Sequence, residues 1–175
     1  MSKVWNEEAL VQARKIIDIQ DRLIADLGVA LHRGIDRQRY GLVTKLLGII
    51  ETDTRYLHLA ATDLIKIWPR RRGRLPLWVD KAIDLEFFTG ETGNIIRKIE
   101  KETHGNRWKI VETLLRERLK ECRRLQQDFL NILPRDRLPS NDYAIIKVAD
   151  ELIETLEKGD NTTNAESGRY RRATR

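Results

Sequence analysis

The feature that most limits which folds this 175-residue chain can adopt is one long apolar stripe. Across residues 43–68, apolar side chains recur at the alternating three- and four-residue steps of a helix that buries one face. The spacing predicts a helix over about 37–68 that ends before Pro69, because the residue before a proline avoids helical geometry. The apolar positions stay on the same helix face through Thr52 and Asp53, which favours one helix over two helices divided there. The stripe comprises Val43, Leu47, Ile50, Leu57, Ala61, Leu64 and Trp68.

Similar stripes along most of the chain predict an all-α helical bundle of five or six helices, and no run of residues alternates like a strand. A first helix is expected over about 6–33, with Asn6 as its N-cap and Gly34 as its end. Asp36 is expected to cap the second helix. The inward positions of the first helix are Leu10, Ala13, Ile17, Ile24, Leu27 and Leu31, and Gln20 interrupts them.

The second half of the chain predicts three or four further helices. Pro76 fits the first position of a third helix, and Gly90 and Gly93 predict a turn after it. A short fourth helix is expected over about 94–104, and Asn106 can cap a long fifth helix. The expected inward positions are Val79, Ala82, Ile83 and Phe87 in the third helix, Trp108, Val111, Leu115, Cys122, Leu125, Phe129 and Ile132 in the fifth, and Tyr143, Ile146, Ala149, Ile153 and Leu156 in a last helix that Ser140 caps.

Two hairpins in this pattern resemble each other. The hairpins at about 37–88 and 107–158 each carry an amphipathic helix into a proline, pass through an arginine-rich turn and restart near a second proline. They suggest an internal pseudo-repeat within one helical domain, residues 1–159. Residues 160–175 are polar without an apolar stripe, which predicts a disordered basic tail.

The charge of the chain favours an acidic partner. The net charge is +6 and the isoelectric point is near 9.6, which suits DNA, RNA or an acidic protein surface. Two clusters concentrate the positive charge, although each is also compatible with a merely solvated segment. The candidate binding residues are Arg70, Arg71, Arg72 and Arg74 between the second and third helices, and Arg169, Arg171, Arg172 and Arg175 in the tail.

Catalytic signatures are missing from the sequence, which predicts a protein that is not an enzyme and needs no cofactor or metal. The three histidines are far apart, and no hydrolase, nucleotide-binding or zinc-protease motif occurs. Cys122 lies on an apolar stripe and is expected to be a small buried hydrophobe. One cysteine, a polar start and no apolar run of membrane length predict a cytoplasmic protein that does not bind membranes. The many Arg, Lys and Glu residues resemble the composition of proteins from hot environments.

The length of the stripes predicts assembly with other protein subunits. A helix rises about 1.5 Å per residue, so the stripe on the second helix is longer than a compact monomer of this size is expected to cover. We therefore expect an oligomer, or a subunit of a larger complex, with a partner interface at Trp68, Trp78, Leu57 and Leu64. Tryptophan is enriched at the energetic centres of such interfaces.

Residues 107–158 carry a basic helix rich in Leu, Arg and Lys that ends at Leu133-Pro134, followed by a capped amphipathic helix. This pattern resembles the helical A-domain of the GINS family, the scaffold subunits of the DNA replication fork. The resemblance implies a non-enzymatic subunit that assembles with other GINS subunits and bridges the replicative helicase to a partner. Its core residues would be Leu115, Leu119, Leu125, Phe129 and Leu133. Family members usually add a β-rich B-domain, for which this chain shows no strands, so it would be an A-domain-only or divergent member.

The sequence therefore predicts a non-enzymatic helical scaffold subunit, GINS-like and connected with DNA replication. The alternative is a basic helical protein that binds nucleic acid directly, such as a small subunit of a nucleoprotein complex.

Overall fold

The computed structural model describes residues 5–68, 75–101 and 107–134, and within these ranges the chain is helical and contains no strand. Four α-helices are present there, where the sequence predicts five or six for the whole chain. A single π-helical turn extends the first of them. The elements are α1 (Glu7–Val29), the π-helical turn (Ala30–Ile35), α2 (Tyr40–Ile67), α3 (Leu77–Lys101) and α4 (Arg107–Ile132).

The four helices form a bundle in which each packs against two neighbours. Helix α1 packs on α2 and α4, and α3 packs on the other sides of α2 and α4. Contacts from α2 to α3 join His58 to Thr89 and Thr62 to Glu86, so the two helices run antiparallel. This is the up-and-down arrangement expected for amphipathic helices joined by short connections. Within the described ranges, none of the helices is both long enough and apolar enough to cross a membrane.

The apolar stripe of α2 is enclosed by the chain itself. Six of its seven residues are buried, and only Trp68, at the end of the helix, is half-buried. Helix α2 is continuous through Thr52 and Asp53, as its unbroken phase predicts. Because α1 and α3 flank α2 on both sides, the stripe needs no second molecule to cover it. The length of the stripe therefore carries no argument for assembly, and any partner surface must lie elsewhere.

The start of α1 follows the sequence prediction, but its end does not. Asn6 is the N-cap, and its side chain accepts a hydrogen bond from the Ala9 N–H at 2.7 Å. The α-helix ends at Val29 and continues as the π-helical turn, so Gly34 is not the stop that the sequence suggests. Gly34 is instead buried within that turn, which packs on α1, α2 and α4.

The connection to α2 also differs from the prediction. Asp36 closes the π-helical turn, and α2 begins later, at Tyr40, without a side-chain cap at Arg39. Gln38 adopts a left-handed backbone with φ of 55°, and its N–H donates to the Ile35 carbonyl at 3.0 Å. The reversal thus depends on a left-handed residue four positions after Gly34, where glycine would be the usual choice.

Replacing Gln38 with glycine should stabilise the fold by up to about 1 kcal/mol. An L-residue in the left-handed region costs roughly 1–2 kcal/mol, and glycine avoids that cost while losing some entropy on folding. Chemical denaturation of wild type and Gln38→Gly measures the difference. Gln38→Ala, which keeps the strain, is the control and should not be stabilised.

Helix α3 corrects two predictions. It runs without a break through Gly90 and Gly93, so the predicted third and fourth helices are one. Ile83 and Phe87 were expected to face inward, but both are exposed, whereas Leu85 and Phe88 are buried. Thr89 and Thr92, each just before a glycine, keep the buried face continuous, and their hydroxyls donate to the Glu86 and Phe88 carbonyls. Packing on this continuous face outweighs the low helix propensity of glycine.

Helix α4 follows its predicted stripe. Of the predicted inward positions, Val111, Leu115, Cys122, Leu125 and Phe129 are buried, while Trp108 and Ile132 are partly buried. The predicted last helix, the N-cap Asn106 and the tail 160–175 lie outside the described residues. The pseudo-repeat and the division at residue 159 therefore stay predictions.

Aromatic side chains close both ends of the bundle. At one end Trp78 contacts Trp5, with ring centroids 5.3 Å apart, and meets Trp68 edge-to-face at 6.0 Å. At the other end Tyr40 stacks on Trp108 at 4.4 Å. Such pairs add to the stability that burial alone provides, and they assign structural roles to all four tryptophans.

Candidate docking groove between helices α3 and α4

The outer face of α3 exposes two large apolar side chains one helical turn apart. Phe87 is 74% exposed and Ile83 is 42% exposed. A lone exposed leucine or isoleucine is ordinary on a protein surface, but neighbouring large apolar groups at a concave site indicate an interaction surface. These two side chains therefore mark the first candidate site.

Phe87 and Ile83 border a groove of about 740 Å³ between α3 and α4. Phe88 and Leu125 are buried in its floor, one from each helix. Leu114, Ile95 and the exposed Ile110 line a neighbouring groove that shares Glu117 with the first and extends it toward the start of α4. We call this combined feature the α3–α4 groove. Its concave apolar floor can receive an elongated apolar ligand.

Charged side chains of both signs form the rim of the α3–α4 groove. Arg118 lies over the Phe88 ring at 5.3 Å and pairs with Glu91 at 3.6 Å. Arg124 bridges Glu121 and Asp128, and its hydrogen bond lowers the pKa of Glu121. An apolar centre surrounded by a polar rim is the usual anatomy of a protein–protein interface.

A buried polar cluster between α1 and α2 is the second candidate site. Arg22 Nε lies 2.9 Å from Asp53 Oδ1, and the Asp26 carboxyl group adjoins that of Asp53. The two carboxyl groups turn inward, and Asp26 and Asp53 are 1% and 0% exposed. Burial, followed by the adjacent Asp26, raises the pKa of Asp53 to about 9, although Arg22 opposes the shift.

The most consistent charge state of this cluster is one proton shared between Asp26 and Asp53. A single negative charge then faces the Arg22 guanidinium, and the buried group is neutral overall. Paired inward carboxylates are a feature of some helical-bundle enzymes. Here, however, both carboxyl groups are closed off from solvent, so the cluster offers a substrate no access in this conformation.

The histidines and the cysteine have structural surroundings. His58 Nδ1 lies 2.8 Å from the Thr89 hydroxyl, and His32 lies 3.3 Å from Asp36. Cys122 is fully buried, and burial is the main cause that raises its pKa to about 12. His104 lies outside the described residues. In the part of the chain that the structure describes, no group of His, Cys, Asp and Glu side chains could hold a metal ion.

The residues that the sequence suggests as a partner interface lie in the core or at its end. Leu57 and Leu64 are completely buried, and Trp78 is 2% exposed. Trp68 is half-buried beside Trp78. In this fold they contact the chain's own core, so they present little or no surface to another molecule. The arginines proposed to bind nucleic acid, Arg70, Arg71, Arg72, Arg74, Arg169, Arg171, Arg172 and Arg175, all lie outside the described residues.

Sequence reasoning missed both candidate sites. Two overlapping stripes run along α3, one through Leu85 and Phe88 and one through Ile83 and Phe87. Only the first stripe faces the core. The spacing of Thr89 and Thr92, which continue that stripe, was the available signal for the face that turns inward.

Comparisons of this chain with family models, with curated proteins and with solved structures found no match.

Proposed function

We propose that this protein is a non-enzymatic assembly subunit that binds an amphipathic helix of another protein in the α3–α4 groove. The observation that carries this proposal is Phe87, a large apolar side chain that projects into solvent beside a groove with an apolar floor. Exposed aromatic side chains at such grooves are typical anchors of protein interfaces.

A helix is the ligand that this groove fits best. Its walls are two antiparallel helices, and a third helix laid between them can bury apolar residues spaced three and four positions apart. The charges of both signs along the rim, from Arg118 and Lys120 to Glu117 and Glu91, would select the orientation of that helix. The partner is therefore expected to carry a broad apolar face with charged flanks.

Three observations support a non-enzymatic role. The carboxyl pair of Asp26 and Asp53 is closed to solvent, the pKa of Cys122 is raised, and His58 is engaged with Thr89. The carboxyl pair and the thiol are closed to solvent, and His58, which is half-buried and borders a groove of about 310 Å³ between α2 and α3, has its Nδ1 atom beside the Thr89 hydroxyl. The cytoplasmic location expected from the single cysteine belongs to the same proposal.

The membership in the GINS family and the connection with DNA replication stay predictions from residues 107–158, since no comparison tests them. Direct binding to DNA or RNA also stays a prediction. It is favoured by the net charge of +6, but its arginines lie outside the described residues. A scaffold in the replication machinery remains the more specific form of the proposed function.

Replacing Phe87 with aspartate should weaken partner binding at least tenfold without unfolding the bundle. The side chain is largely exposed, so its loss costs little folding free energy, whereas a charge in the groove opposes apolar docking. The tagged full chain is purified from its host in wild-type and Phe87→Asp forms, and the proteins that copurify with each form are compared. Titration of the recovered partner against each form then measures the affinity.

Val11→Asp is the matched control, because Val11 is also exposed but lies on α1, which packs on α2 and α4 and not on the outer face of α3. It should retain the partner. Equal recovery of the same proteins by wild type and Phe87→Asp, or a monomer without any partner, would contradict the proposed function.

A further inference from the structure

We propose that one end of the bundle binds the phosphate backbone of a nucleic acid. This basic end comprises the π-helical turn with the connection to α2, the start of α2, the end of α3 and the start of α4. Its residues are 29–50, 97–101 and 107–112. The inference goes beyond the proposed function, because Phe87, which carries that function, lies about 20 Å along α3 from Lys101.

The antiparallel packing of α2 and α3 brings their two segments to the same level of the bundle. His58 Nδ1 lies 2.8 Å from the Thr89 hydroxyl. Both helices rise about 1.5 Å per residue. Eight residues toward the start of α2 and eight toward the end of α3 therefore lead to Ile50 and Arg97 at one level. The turns beyond that level belong to the same end of the bundle.

Helix α4 starts at this end as well. Arg118 pairs with Glu91 across the α3–α4 groove at 3.6 Å, and six residues in opposite directions from this pair lead to Glu112 on α4 and to the same level of α3. The start of α4 also contacts the start of α2, since Tyr40 stacks on Trp108 with ring centroids 4.4 Å apart. The segments thus form one surface, about 20 Å across when each helix is about 10 Å wide.

Positive charge is concentrated at the basic end. Its residues include nine Arg and Lys against three Asp and Glu, whereas the other described residues include eleven Arg and Lys against fifteen Asp and Glu. Counting Glu102, which lies outside the described residues between α3 and α4, changes the first ratio only to nine against four. The described chain is therefore positive at this end and negative over the rest, a polarity that steers an extended anion to one end.

Most cations of the basic end have no carboxylate partner within the described residues. Arg116 engages two of the three acidic side chains, Asp36 at 3.3 Å and Glu112 at 3.0 Å. Arg97 donates a hydrogen bond to the Asn94 side chain, which carries no charge. Six exposed cations form no ion pair with any described residue, and these are Arg37, Lys45, Arg97, Lys98, Lys101 and Lys109.

This arrangement fits a nucleic acid better than another acidic ligand. The cations come from three helices and a connection, so they match phosphates spread along a backbone and not a single anion in a pocket. Five of the nine are arginines, whose guanidinium groups can donate two hydrogen bonds to one phosphate. A protein interface usually has an apolar centre, but among the described residues the large exposed apolar side chains at this end are limited to Tyr40 and Ile110.

Replacing three cations of the basic end should weaken nucleic-acid binding at least tenfold. Arg37→Gln, Lys101→Gln and Lys109→Gln are combined in the full-length chain, since exposed side chains without ion pairs contribute little to folding. Fluorescence anisotropy with labelled duplex DNA, single-stranded DNA and single-stranded RNA measures the affinity from about 50 to about 200 mM salt. On a duplex, the slope of log affinity against log salt should become shallower by up to about 2.7, the contribution of three phosphate contacts.

A matched triple variant controls for net charge. Lys15→Gln, Lys66→Gln and Arg123→Gln also remove two lysines and one arginine from exposed positions, but these positions lie outside the basic end. This control should bind nearly as tightly as wild type. Equal affinities of the two triple variants, or a weaker affinity of the control, would overturn the inference, as would the absence of binding to all three nucleic acids at the lowest salt concentration. Tighter binding of polyglutamate than of any nucleic acid would assign this end to an acidic protein and overturn it too.

Discussion

Raising the pH from about 5 to about 9 should lower the free energy of unfolding by up to about 1.4 kcal/mol per pH unit. The cause is Asp53, whose pKa is raised to about 9 by burial and by the neighbouring Asp26, against the opposing effect of Arg22. In the unfolded chain the same carboxyl group has an ordinary pKa near 4. Between these two values the folded protein holds a proton that the unfolded chain has released.

The sign of this dependence follows from proton binding. Because the folded state binds more protons throughout this window, each increase in pH favours the unfolded chain. The usual behaviour of a carboxylate in an exposed ion pair is the reverse, since a lowered pKa makes acid the destabilising condition. A stability that declines with rising pH is therefore a specific signature of the Arg22–Asp53–Asp26 cluster.

Urea denaturation at a series of pH values measures the dependence, and Asp53→Asn is the control that isolates it. Asparagine keeps the shape and can hydrogen-bond Asp26, but it cannot titrate. The remaining Asp26 carboxylate then faces Arg22 without a second carboxyl group. The decrease of the unfolding free energy with pH between 5 and 9 should therefore become shallower by up to about 1.4 kcal/mol per pH unit, which is the contribution of one proton. If the unfolding free energy of wild type and of Asp53→Asn changed with pH in parallel, Asp53 would be ionised in the folded state and the prediction would be wrong.

Helical periodicity predicted those parts of the fold that local spacing determines. The stripe of α2 established one continuous helix, and Asn6 established where α1 begins, because each depends only on residues within a few turns. The buried face of α4 was equally readable from Val111 to Phe129. In each case a single apolar stripe runs along the helix, so that only one face can turn inward.

Helix α3 shows where local spacing is not enough. Gly90 and Gly93 are ordinary turn signals, but Thr89 and Thr92 fill the buried face beside them and keep the helix in register with α2. Tertiary packing then decides between two possible stripes. The exposure of Phe87 depends on which helices flank α3 in the bundle, and the apolar spacing of Ile83 and Phe87 alone does not determine it.

The buried cluster was hidden for a similar reason. Asp53 looked like a possible break in α2, and nothing near it in sequence offers a partner. Its contacts come from Arg22 and Asp26, which are about 30 positions away and become neighbours only when α1 packs on α2. A charged residue inside an apolar stripe was the available signal, and it indicates either a break or a buried pair without distinguishing them.

Replacing Gly34 with alanine should destabilise the fold by about 1–3 kcal/mol, the usual cost of overpacking a core. A Cβ atom at this position would stand 2.5 Å from the Val43 Cγ2 atom, and Val43 is itself fully buried. The π-helical turn thus packs on α2 through a contact that leaves no space for a methyl group. Thermal or chemical denaturation measures the loss.

Two further variants separate this close contact from the general effect of replacing a helical glycine. Gly48 lies on the exposed face of α2, where an added Cβ meets no atom within 4 Å, so Gly48→Ala should stabilise the fold by about 0.5–1 kcal/mol. In a Val43→Ala background, which removes the opposing methyl groups, Gly34→Ala should cost much less than it does in the wild type. If the cost of Gly34→Ala were the same in both backgrounds, the close approach of Gly34 to Val43 would not be its cause.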